Sequence, residues 1–179
     1  MTIIIVMIVT IVNVQAASPT EYRYTLRYGT GGFNDARSPL NKLGGDQLGL
    51  DIRIKDSALS LLLASEYYTN SPDPTHAYEI SRMYSINLLY HADTLLINNA
   101  SIFMGGGVGR LSVPETETNP GSYISSDLLS LEAGLYLRPY QPFGFFGLIK
   151  YLYAEKNVAG HNDIDFNELI FLIGVSYDF

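Results

Sequence analysis

Cysteine is absent from the 179 residues, and so is tryptophan. Without thiols the chain has no disulfide framework, no thiolate nucleophile and none of the usual structural zinc sites. Lysine and arginine number 11 against 18 acids, for a formal charge of −7, and nowhere do they cluster. A nucleic-acid partner is thereby excluded, because phosphate binding draws its affinity from a basic surface that releases counterions. Also missing is any apolar run of the roughly 20 residues that a membrane-spanning helix needs; the longest, residues 3–14, has about a dozen. Histidines number only three.

What is present is 47% hydrophobic residues with 14 tyrosines, the composition of a globular or membrane chain of one domain. The run at 3–14 reads as the apolar region of a signal peptide. Val14, Gln15 and Ala16 supply an approximate small-x-small cleavage site, which divides the chain into a leader at 1–16 and a mature domain at 17–179. No Lys or Arg precedes the run, a departure from the usual leader pattern.

The rest of the chain alternates with a period of two. Residues 169–179 end the sequence with Leu169, Phe171, Ile173, Val175, Tyr177 and Phe179 on one face, against Ile170, Leu172, Gly174, Ser176 and Asp178 on the other. Seven further segments do the same. Tyr22, Tyr24, Leu26 and Tyr28 oppose Arg23, Thr25 and Arg27; Leu48, Leu50, Ile52 and Ile54 oppose Gln47, Asp51, Arg53 and Lys55. Leu59, Leu61, Leu63 and Tyr67 oppose Ser60, Leu62, Ala64 and Glu66; Tyr84, Ile86, Leu88 and Tyr90 oppose Glu79, Met83, Ser85 and Asn87. Ile102, Met104 and Val108 share a face of the fifth segment; Leu129, Leu131 and Leu135 oppose Glu132, Gly134 and Arg138 in the sixth, and Phe145, Ile149 and Tyr151 oppose Phe146, Leu148 and Lys150 in the seventh. The eight strands are joined by connections that run long, short, long, short, long, short, long. Turns are expected at 56–57, 91–93 and 139–142, and polar loops at 30–45, 70–74, 111–121 and 155–163.

Even strand number, alternating turn lengths, aromatic residues at both ends of an apolar face and a terminal Phe179 together resemble the small eight-stranded outer-membrane barrels, the family that includes OmpX and the OmpA barrel. The fold class expected is all-β, an eight-stranded antiparallel up-and-down transmembrane β-barrel. The resemblance further implies export to the bacterial outer membrane, contact with outer-membrane lipid and lipopolysaccharide, a monomer, and reading of Phe171, Ile173, Val175, Tyr177 and Phe179 by the barrel-assembly machinery.

With the apolar faces turned to lipid, the polar faces fill the interior. Arg23, Arg27, Arg53, Lys55, Arg138 and Lys150 then meet Asp51, Glu66, Glu79, Glu132, Glu168 and Asp178 there, six charges of each sign. Balance is what a narrow interior requires, since an unpaired buried charge is costly. Glu132 and Lys150, mid-strand on neighbouring strands, are expected to belong to one paired network. Eight strands leave room for side chains alone, so an open channel is not expected.

No catalytic, metal or cofactor site is assigned from the sequence. A lipid A deacylase would carry His-x-Ser, which does not occur; His76 and His161 fall in expected outer loops and His91 in an expected turn. Ser122 or Ser125 with His161 and Asp163 could be drawn as a triad, though no spacing demands it. The stretch 161–165 lacks the Gly and the bidentate Glu of a Ca²⁺ loop, and Gly105, Gly106 and Gly107 lack the ending of a phosphate-binding loop. The reading is a non-enzymatic barrel whose outer loops, chiefly 30–45 and 111–121, engage something outside or stabilise the envelope. Its alternatives are a lipid A acyl hydrolase and, with the apolar face turned inward, a soluble lipocalin-like carrier.

Overall fold

The computed structural model describes residues 22–33, 44–54, 56–69, 80–93, 99–114, 123–156 and 164–179. They form eight strands, β1 (Tyr22–Phe33), β2 (Gly44–Ile54), β3 (Leu59–Thr69), β4 (Ile80–Asp93), β5 (Ala100–Pro114), β6 (Tyr123–Tyr140), β7 (Phe143–Lys156) and β8 (Ile164–Asp178). Each is antiparallel to the next, and β1 pairs with β8 to close the barrel. The closure is completed by Tyr24 and Phe179, which exchange backbone hydrogen bonds of 3.2 and 3.0 Å. A closed sheet has no free edge, so its backbone polar groups are satisfied internally, the condition for crossing lipid with strands.

The period-two pattern sorts the side chains as expected. Residues such as Leu61, Leu63, Ile86, Leu88, Val108, Leu131, Ile149 and Ile173 point outward and are exposed, while their neighbours Leu62, Asn87, Glu132, Lys150 and Leu172 are buried inside. Tyrosines and phenylalanines bound this outward apolar belt. Tyr22, Tyr90, Phe143 and Tyr177 lie toward the end where β1 begins and β8 finishes, and Tyr67, Tyr84, Tyr123 and Tyr153 toward the other. So continuous an apolar exterior is foreign to a water-soluble monomer. The soluble-carrier alternative needs the apolar face inward, the reverse of this arrangement.

Several strands run further than the periodicity suggests. β1 continues through residues 30–33, β5 through 111–114 and β7 through 155–156, each into a stretch expected to be loop. His91 to Asp93, expected as a turn, are the last residues of β4. Polar composition at the tip of a strand imitates a loop, because a strand that projects beyond the apolar belt has water on its outer face. The short turns sit near Asp56 and Asn99, which take positive φ of 64° and 63°, and at Gln141 and Pro142, joined by a cis peptide.

β5 shows why glycine recurs there. Gly105, Gly107 and Gly109 alternate on its inward face, and a Cβ on them would lie 2.0, 2.0 and 2.2 Å from the carbonyl oxygens of Leu88, Ile86 and Tyr84 on β4. The two backbones approach too closely for any side chain. The leader at 1–16, Lys55, Glu79, His76, His161 and the stretch 115–122 lie outside the described residues, and of Glu168 only the backbone, in β8, is described.

Candidate functional site

The interior is the one place where this fold gathers charge away from water. Four strands deliver its centre. β1 contributes Arg27, β3 Glu66, β6 Glu132 and β7 Lys150, each turned inward by the parity of its strand and each almost fully buried. Arg27 Nη2 donates to Glu132 Oε2 at 3.0 Å and forms an ion pair with it. Lys150 Nζ donates to Glu66 Oε1. Glu66 also accepts from Gln47 Nε2 at 2.9 Å and from the Tyr68 hydroxyl.

Glu132 and Lys150 stand opposite each other in the β6–β7 register, yet the contacts each makes run to other strands, to β1 and β3 respectively. Adjacent Cβ atoms about 5 Å apart favour proximity, but the long side chains reach into the lumen. The network is thus two ion pairs spanning the barrel. A separate set of buried hydrogen bonds joins serine and asparagine, with Ser130 Oγ donating to Asn87 Oδ1 at 2.5 Å and Asn87 Nδ2 to Ser85 Oγ at 3.0 Å.

Aromatic rings pack beneath Arg27. Its guanidinium lies 5.5 Å from the Phe146 ring centroid and 5.6 Å from that of Phe103, and Phe103 packs against Tyr136 at 4.8 Å. Tyr136 in turn meets His91 at 6.2 Å. His91 is therefore an interior residue, buried in the wall and not in a turn. Its Nε2 lies 2.7 Å from Ser60 Oγ and 3.3 Å from Asp51 Oδ2. Both partners meet the same ring nitrogen, whereas a catalytic triad needs the acid on one nitrogen and the hydroxyl on the other. Among the described residues, Arg27 Nε, Gln47 Oε1, Asp51 Oδ1, His91 Nδ1 and Glu132 Oε1 are buried without a hydrogen-bond partner.

Arg23, Arg138 and Asp178 gather at the end where β1 begins and β8 finishes. Asp178 accepts from Arg138 Nε at 2.9 Å and from Thr25 Oγ1 at 2.7 Å, with Arg23 at 3.7 Å. Arg138 also donates to Ser101 Oγ at 2.8 Å. Arg53 instead turns to the turn backbone, donating to the Ser57 carbonyl. Arg23 and Arg53 thus belong to the mouth, not to the central network. Sequence reading missed His91, Ser60, Gln47 and Tyr68; His91 was detectable, since it continues the parity of Ser85, Asn87 and Leu89. Among the described residues, no cluster of three or more His, Asp or Glu is placed to hold a metal ion.

On the closing strand Phe171, Ile173, Val175 and Tyr177 face outward. Phe179 stacks on Tyr24 at 6.0 Å and lies 5.7 Å from Tyr177, which packs edge-on to Phe143 at 5.1 Å.

No protein-family model matches the chain, and no curated protein matches it significantly. Solved structures do. Neisserial surface protein A superposes with a TM-score of 0.65 at 16% identity, over 89% of this chain and 98% of that one. The N-terminal β-barrel domain of Pseudomonas aeruginosa OprF gives 0.59 at 15%, over 89% and 98%. Ail, the attachment invasion locus protein of Yersinia pestis, gives 0.52 at 13%, over 88% and 97%. The chain therefore has the fold of the small eight-stranded outer-membrane barrels.

Proposed function

We propose that this chain is a non-enzymatic protein of the bacterial outer membrane, delivered there as a precursor, with a lumen closed by side chains and with outer connections that meet something outside the cell or strengthen the envelope. One observation carries the reading: a closed barrel whose exterior is a continuous apolar belt between two aromatic girdles. The interior supports the closed state. Toward the long-connection end of their strands Tyr68, Met83, Leu111, Leu128 and Leu152 are buried, and toward the other end Leu89, Phe103, Tyr136 and Phe146 are, with the two ion pairs between. The outer connections of this reading are 34–43, 70–79, 115–122 and 157–163, which join strand ends on the side opposite to where β1 begins and β8 ends.

The acyl-hydrolase alternative needs a Ser–His pair on the lipid-facing wall. Ser60 and His91, the pair described, sit inside.

Fractionation of cells producing the full chain, followed by gel migration of boiled and unboiled samples, tests the proposal. The protein is expected in the outer-membrane fraction and, unboiled, to migrate as a compact barrel that SDS does not open. Recovery in the soluble periplasm with identical mobility in both samples would overturn it.

A further inference from the structure

The end of the barrel where β1 begins and β8 finishes opens on a cavity of about 620 Å³ that neither the lumen network nor the belt accounts for. Tyr22, Arg23, Arg53, Asp56, Asp93 and Phe179 stand around it. Parity puts Arg23 and Arg53 on the inward faces of β1 and β2, and register puts them directly opposite each other. Side chains so placed start about 5 Å apart, where two like charges repel unless an anion lies between them. Asp178, in the floor, accepts from Arg138 Nε at 2.9 Å and from Thr25 Oγ1 at 2.7 Å, and Arg23 comes only within 3.7 Å of it, beyond hydrogen-bond length.

Two carboxylates face the cavity from elsewhere on its wall. Asp56 lies in the turn between β2 and β3 and Asp93 at the end of β4, and both are exposed. Among the described residues neither pairs with an arginine, and Arg53 Nε donates to the Ser57 carbonyl instead. Glu21 and Lys55, which adjoin the mouth in sequence outside the described residues, are one of each sign and leave this balance of two cations and two anions unchanged. The cations sit on β1 and β2, and Asp93 sits two strands beyond, on β4. Strands are about 4.8 Å apart, so that separation is about 10 Å, the length of three residues of extended chain. A simple anion would satisfy the arginines but meet the aspartates, and a simple cation the reverse. A molecule with a carboxylate at one end and an ammonium at the other satisfies both, and the arginine fork suits a carboxylate because two N–H groups donate in parallel. Tyr22 and Phe179 offer apolar surface to what lies between.

We infer that this mouth binds a short zwitterionic peptide of about three residues, its carboxylate on Arg23 and Arg53 and its ammonium on Asp93 with Asp56 beside it. The cavity and its charges stand without the membrane placement proposed above, which only assigns the mouth to the periplasmic side.

The test is an amide chemical-shift titration, by two-dimensional NMR, of the isotopically labelled full chain folded in detergent micelles. The probes are trialanine, N-acetyl-trialanine, which lacks the ammonium, and trialanine amide, which lacks the carboxylate. Trialanine should shift the amides of Arg23, Arg53 and Asp93 and bind about fivefold tighter than either blocked form, the weight of an exposed ion pair. Arg23→Gln together with Arg53→Gln should abolish the preference over the amide and keep the preference over the acetylated form. Asp56→Asn together with Asp93→Asn should do the opposite. A crossed loss of this kind cannot come from misfolding, and heat-modifiable migration checks the fold of each variant. Equal binding of the three probes by wild type, shifts confined to residues away from the mouth, loss of both preferences in either folded variant, or displacement of trialanine by equimolar sodium phosphate would overturn the inference. Recovery of the chain in the soluble periplasm would refute the membrane placement and leave these titrations unchanged, so the two failures are told apart.

Discussion

Lys150 has two carboxylates within reach of its strand neighbourhood, Glu132 directly across in register and Glu66 across the lumen, and the structure gives the contact to Glu66. That choice has an energetic consequence. The side chains of Glu66 and Lys150 are 1% and 0% exposed, and Glu66 holds two further donors, Gln47 and Tyr68. Glu66→Ala leaves a buried ammonium, a hydroxyl and an amide together without their acceptor, and removal of one member of a buried pair costs about 3–5 kcal/mol. Lys150→Met alone strands the carboxylate but leaves it two hydrogen bonds, so the loss should fall toward about 3 kcal/mol. The double variant removes both charges and should recover much of the sum, giving a coupling of about 2–3 kcal/mol.

The same cycle on Glu132 and Lys150 is the control. Those two are neighbours without a direct contact, each held by another partner, and their coupling should stay under about 1 kcal/mol. The assay is urea titration of protein refolded in detergent micelles, with folded fraction read from unboiled gels and from circular dichroism. A Glu132–Lys150 coupling equal to or larger than that of Glu66–Lys150 would refute the cross-lumen pairing and restore the pairing along the β6–β7 ladder.

Other consequences are simpler to state. Leu131→Arg, in the middle of the outward belt at 64% exposure, should cost about 2–4 kcal/mol in lipid vesicles; a change near zero would mean that its surroundings are aqueous. Gly107→Val should abolish folded barrel on unboiled gels, because its Cβ would meet the Ile86 carbonyl oxygen at 2.0 Å, whereas the outward Gly147, whose Cβ would meet nothing closer than 3.9 Å, should accept Ala with folding unchanged. Deleting Phe179 removes its stack on Tyr24 and should lower folded protein in cells far more than the roughly 2–3 kcal/mol expected for one aromatic side chain in refolded protein; matched modest losses in both would argue against a role in assembly.

How far the sequence could be read depended on what each feature is local to. Strand parity is local, because successive side chains must point to opposite faces; Leu61 against Leu62, or Ile149 against Lys150, needs only the alternation, and so the eight strands and their outward face were legible. Strand ends were less so, since the polar residues that project beyond the belt at 30–33 and 155–156 are compositionally loop while their backbones still pair. The pairings inside the lumen were not legible at all, for a geometric reason. Register decides which Cβ atoms are adjacent, but Arg and Lys side chains inside a narrow barrel are long enough to meet strands on the far wall, so Arg27 on β1 reaches Glu132 on β6, 105 residues away. His91 shows the intermediate case. Its parity with Asn87 and Leu89 would have placed it inside, but its position beside Ala92 and Asp93 matched a turn, and its burial depends on Asp51 and Ser60 from two other strands. Alternation therefore specifies the wall, while the identity of each interior partner is a property of closure, set only when β8 returns to β1.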